Sequence, residues 1–146
     1  MFKHILLATD GSTASSHAAQ MAVGLARAHG AQLSAVYVVD PYPYLGIGES
    51  NPAGFQAYIA AARQMSEQAI EAVVELGRAA EPAVEVKTIL IEDKKAWQGI
   101  VDVAQQENAD LIVVGSHGRG GLERLVMGSV ATKVVSHSAI PVLVVR

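Results

Sequence analysis

The chain has 146 residues, of which 51% are apolar and 17% charged, with a net charge of −3 and no cysteine. That length and apolar content exclude a disordered chain and fit one packed domain spanning 1–146. The acidic balance argues against a general affinity for nucleic acid, and the absence of thiols excludes disulfides, thiolate metal sites and thiol catalysis.

His4-Ile5-Leu6-Leu7-Ala8-Thr9 reads as a buried strand, closed by Asp10-Gly11. Its apolar run is too short for a signal-peptide core. No later run approaches the ~20 residues of a membrane span, so a cytoplasmic protein with no membrane insertion is expected. Ser12 or Thr13 can cap a helix from Ala14 to His29, in which Ala18, Met21, Ala22, Leu25 and Ala26 recur at helical spacing. Gly30 sits where a helix end favours a left-handed residue. Gln32 to Val39 is a second strand, stopped by Asp40-Pro41.

From Pro41 to Gly54 the character changes, with three of the five prolines and three glycines. It reads as a long loop of the kind that serves as a lid or partner surface, and it carries Tyr42 and Tyr44. Asn51-Pro52 opens a long helix to about Ala80, with Ile59, Ala62, Met65, Ala69, Val73 and Leu76 near one face. Val84 to Ile91 alternates early and predicts an edge strand. Lys95 to Gln106 is a helix built on Trp97, Ile100, Val101 and Ala104, so Trp97 reads as a packing residue. Leu111 to Val114 is a fourth strand, Ser129 to His137 a last helix, and Ile140 to Val145 a fifth strand. Alternating strands and helices, with strands apolar throughout, predict an α/β fold: an open parallel sheet, doubly wound. Ligands of such sheets bind at the carboxyl ends of the strands, where the winding direction switches.

Between the fourth strand and the last helix lies Gly115-Ser-His-Gly118, then nine residues, then Gly128-Ser129. A strand, a glycine-rich loop and a helix N-terminus together form an anion-binding arrangement. Glycines allow close backbone approach, and Ser129 can donate its hydroxyl or cap the helix. Asp10 borders the same crevice if strands one and four are neighbours; its other reading is a helix cap. Arg119 and Arg124 can neutralise phosphates. His117 has no companion nucleophile at a recognisable spacing and reads as a loop histidine. His4, His17, His29 and His137 show no metal-ligand spacing. A P-loop and a Gly-x-Gly-x-x-Gly turn are both lacking.

The spacing Gly115-x-x-Gly118-(nine residues)-Gly128-Ser129 resembles the signature of the ATP-binding branch of the universal stress protein family. Ile5 to Ser12, Val36 to Asp40, Ala109 to Gly115 and Pro141 to Val145 resemble its other blocks. The resemblance implies a five-stranded, Rossmann-like sheet of the adenine nucleotide alpha hydrolase type, in strand order 3-2-1-4-5. It implies ATP with magnesium or manganese at the phosphates. Backbone groups of Gly118, Gly128, Ser129 and Val130 would hold phosphates and ribose, with Arg119 beside them. Asp10 would sit at the ribose or, indirectly, at the metal, and Val38 would meet the adenine through its backbone. Ala8, Thr9, Val114 and Gly115 would line the pocket. It further implies a homodimer through Val142–Val145 and a regulatory role in stress responses, exerted on a protein partner that for some relatives is a membrane transporter. The competing expectation is a slow ATPase or an autophosphorylating phosphotransfer protein, and a third is binding of AMP or a cyclic nucleotide.

Overall fold

Ile, Leu and Val are stiff at Cβ and suit a pleated surface, whereas the alanine-rich stretches between them suit helices. The computed structural model, which describes residues 1–39, 52–118 and 127–146, follows that division. The elements are β1 (His4–Ala8), α1 (Thr13–His29), β2 (Gln32–Val39), α2 (Pro52–Ala79), β3 (Val86–Glu92), α3 (Ala96–Gln106), β4 (Leu111–Gly115), α4 (Ser129–His137) and β5 (Val142–Val145). The sheet has five strands in the order β3-β2-β1-β4-β5, and every neighbouring pair is parallel. Of the Pro41–Gly54 loop, residues 41–51 lie outside the described residues, as do Arg119 and Arg124 of the glycine loop.

Each central strand is buried on both faces, which explains its unbroken apolar run. Ile5 and Leu7 face Ala18, Ala22 and Ala26 of α1 and Val73 of α2. Leu6 points the other way, to Ile100 and Val103 of α3 and Ala131 and Val134 of α4. Helices α1 and α2 therefore cover one face, and α3 and α4 the other. Trp97 packs at the second cluster and against the His137 ring, with centroids 4.4 Å apart and planes inclined at 44°.

Boundaries shift by a residue or two for identifiable reasons. Ser12 caps α1, its hydroxyl accepting from Ser15 N, and Gly30 ends the helix at φ 62°. Strand β3 starts at Val86 rather than Val84 because Val84 N donates to Gly77 O at 2.9 Å, tying it to the end of α2. A Cβ on Gly77 would lie 2.3 Å from Val84 O, so only glycine admits this approach. β3 is an edge strand, as its alternation predicts, with Lys87 and Thr88 exposed and Glu92 paired with Arg63 at 2.8 Å. β5 is the opposite edge, and all four of its residues are half-buried.

Polar bonds clamp the amino edge of the sheet. His4 Nδ1 donates to Glu107 O at 2.9 Å, and Nε2 lies 2.8 Å from the hydroxyl of the fully buried Ser34. Asp110 accepts from Lys3 N at 2.8 Å and His4 N at 3.1 Å. Burial pushes the Asp110 carboxyl up, but the amides of Lys3, His4 and Asp110 itself and the charge on His4 outweigh it, leaving it below its ordinary value. A depressed carboxylate stabilises the fold above the unfolded value near ~3.9 and loses that contribution as pH falls through the lower folded value. Asp110→Ala is expected to cost about 2 kcal/mol at neutral pH. In urea melts the difference between variant and wild type should narrow below about pH 4, where wild type loses the same contribution; a constant difference down to pH 2 would refute the assignment.

Candidate functional site

The winding switches between β1 and β4. The chain leaving β1 turns into α1 on one face, and the chain leaving β4 leads to α4 on the other, so a crevice opens between them. The β1 side is a tight turn. Asp10 Oδ1 accepts from Ser12 N at 2.9 Å, and Gly11 adopts φ 79°. Asp10 thus shapes the turn, while Ser12 is the residue that caps α1.

The β4 side is pressed from three directions. A Cβ on Gly115 would lie 2.9 Å from Ala14 C, so α1 rests against the end of β4. A Cβ on Gly118 would lie 2.8 Å from Asp10 Oδ2, bringing the two loops into contact across the crevice. Gly128 N donates to Ser116 O at 2.6 Å, and its Cβ would lie 2.9 Å from that oxygen. Ser116 N in turn donates to Val145 O at 2.7 Å, and Ser12 Oγ donates to His117 O at 3.5 Å.

Helix α4 starts at this mouth. Gly128 is its N-cap and has no side chain to offer, so Ser129 is the first helical residue rather than the cap. Ser129 and Val130 are exposed, and the first-turn amides carry the positive end of the helix dipole. Gly118 is exposed as well. Ala8, Gly115 and Val38 are half-buried at the carboxyl ends of their strands. Two of the expected lining residues have buried side chains. Val114 is 3% exposed and packs beneath the crevice with Leu6 and Ile112. Thr9 Oγ1 lies 3.4 Å from Ser15 Oγ and from Gly11 N, inside the base of α1. Arg119 lies outside the described residues.

Among the described residues Asp10 is an acidic group at the mouth, and it would repel a bare polyphosphate. A hydrated divalent cation between the two suits this donor set, because magnesium keeps several waters and needs only one or two carboxylates besides the phosphates. Among the described residues no group of three His, Asp or Glu side chains could hold a metal alone, so such an ion would depend on the ligand's oxygens.

The Universal stress protein family model matches residues 1–146. The chain belongs to the universal stress protein family. A universal stress protein of Thermus aquaticus is 38% identical over 147 residues, covering all of both chains. The universal stress protein UspA of Lactobacillus plantarum is similar in structure, with TM-score 0.77 and 31% identity over 99% of this chain and 97% of that one. Two more distant structures share the fold: a universal stress protein in complex with cAMP (TM-score 0.64, 24% identity, 99% and 97% covered) and one from Archaeoglobus fulgidus in complex with dAMP (0.66, 21%, 100% and 98% covered).

Sequence reasoning passed over two residues of the site. Ser12 was legible only as a helix cap, and Ser116 only as a loop hydroxyl of the phosphotransfer reading; the contacts of Ser12 with His117 O and of Ser116 O with Gly128 N arise only once the chain is folded. For Gly128→Val we expect loss of any ligand held by the α4 amides, together with about 1–3 kcal/mol of stability from the collision with Ser116 O. Denaturant melts and a binding titration check both, and a variant with wild-type stability would refute the packing described here.

Proposed function

We propose that this chain is an ATP-binding regulator. The observation that carries the reading is the start of α4: Gly128, with no side chain, is locked onto Ser116 O, and exposed first-turn residues follow it. Phosphates would lie on the amides of Gly128, Ser129 and Val130 and beside Gly118, with Arg119 near them. The ribose or a phosphate-bound magnesium or manganese ion would lie at Asp10. The adenine would lie against the backbone of Val38. Relatives of the same fold solved with cAMP and dAMP support an adenine nucleotide as the ligand class.

The output would be a change of conformation or assembly in a cytoplasmic protein, since a ligand shifts an equilibrium toward the state it binds better. Its target would be a protein partner, for which a membrane transporter is one candidate. Slow hydrolysis or phosphotransfer has one observation in its favour, the Ser116 hydroxyl 3.0 Å from His117 Nδ1. Ser116 is only 4% exposed, which places its oxygen out of reach of a phosphate in this conformation. Mass analysis of nucleotide released from purified protein is expected to find ATP, and AMP or a cyclic nucleotide would redirect the reading. Steady turnover of ATP near ~1 s⁻¹, a typical kinase rate, would overturn the regulatory role.

The dimer would form on β5. Ile112 N donates to Pro141 O and Ser116 N to Val145 O, so residues 141, 143 and 145 direct their backbone groups at β4. By alternation Val142 and Val144 direct theirs at the open edge. Val144→Pro removes an edge N–H that the β4 ladder does not use, and such prolines are tolerated on edge strands. Light scattering should find wild-type dimers and variant monomers with unchanged circular dichroism. Folded dimers of the variant would refute edge pairing.

A further inference from the structure

The two positions between Gly115 and Gly118 are Ser116 and His117, and the glycine spacing places no demand on either. Ser116 is buried, and its hydroxyl lies 3.0 Å from His117 Nδ1. The other ring nitrogen, Nε2, is shielded from solvent and has no hydrogen-bond partner; among the described residues it is the one buried side-chain nitrogen or oxygen in that condition. Buried polar groups in folded proteins are normally paired, so an orphan in a ligand-binding loop calls for a partner from outside the chain.

The neighbours of His117 show where that partner arrives. On the β1 side, Ser12 Oγ reaches His117 O. On the α4 side, the Cβ direction of Gly128 ends 3.4 Å from His117 Cα. The next residue is Gly118, which meets the Asp10 carboxylate. The backbone of His117 is therefore lodged between both walls of the crevice, and the residue as a whole is half-buried.

We propose that His117 Nε2 is a side-chain hydrogen-bond donor to the phosphate chain of the bound nucleotide. This deepens the nucleotide reading above and rests on it. The proposal takes the Ser116 hydroxyl as donor to Nδ1, which leaves the ring proton on Nε2. A donor there suits phosphate oxygens, which only accept. The ligand-free protein leaves this nitrogen unsatisfied, so binding satisfies it without displacing a water or a protein partner. The α4 amides supply the main-chain donors, and the imidazole adds one from the β4 side of the loop.

Two near-isosteric substitutions separate the ring nitrogens. His117→Asn keeps an amide near the place of Nδ1, and hence the Ser116 contact, but deletes Nε2. His117→Gln carries an amide nitrogen out to the place of Nε2. Calorimetric titrations with ATP, inorganic tripolyphosphate and AMP should show His117→Asn binding ATP and tripolyphosphate about tenfold more weakly, with a smaller change for AMP, while His117→Gln stays within about threefold of wild type. Folded His117→Asn that binds all three as wild type does would overturn the proposal and leave the nucleotide reading standing. Equal losses in both variants would also overturn it, by assigning the effect to the imidazole ring as a whole and not to a donor at the place of Nε2. Wild-type protein that gives no heat with any of the three would end the nucleotide reading and this donor with it.

Discussion

The hydrogen bond from Gly128 N to Ser116 O joins the two ends of the glycine loop, and the architecture of the crevice depends on it. It fixes where α4 begins, and so where the helix dipole is aimed. It also fixes the end of β4, because Ser116 is held through its own amide to Val145 O on β5. One residue, through its carbonyl and its amide, thus ties the last helix, the fourth strand and the edge strand to a common point. The absence of a Cβ at residue 128 makes the approach possible, since that atom would stand 2.9 Å from the oxygen. The same economy of space recurs at Gly115, where α1 presses on the sheet, and at Gly118, where the opposite loop arrives.

Much of the fold is legible in the sequence because its signals are long and redundant. Ile5-Leu6-Leu7 and Leu111 to Val114 are apolar on both faces, which only a strand covered on two sides requires. Gly30 marks the end of α1, and the alternation of β3 marks an edge. The family spacing supplied the strand order, which the structure bears out. The start of β3 was not legible, because Gly77 and Val84 meet through backbone atoms that leave no periodic trace.

The site was legible as a place more than as a set of contacts. Glycines in a phosphate loop invite the reading that a ligand comes close to them. In the folded chain, protein atoms already occupy the Cβ directions of Gly115, Gly118 and Gly128. Their first task is to let the loop fold against α1, Asp10 and Ser116. Asp10, open between cap and ligand contact, braces the turn through Ser12 N, with Ser12 as the cap. Thr9 and Val114 sit at the right strand ends, yet their side chains turn into the interior. A strand-end position gives the direction of a backbone and does not give the face of a side chain.

The two borders of the sheet differ in kind. β3 runs Val86–Glu92 and presents Lys87 and Thr88 beside an exposed Leu90, with Glu92 engaged by Arg63, whereas β5 is four aliphatic residues long. Charged, solvated borders discourage strand addition, and short aliphatic ones invite it. Pairing through β5, as proposed above, would engage one such border per molecule. Two such borders meeting about a twofold axis exhaust each other, so growth stops at a pair and a continuous ribbon of sheets is avoided.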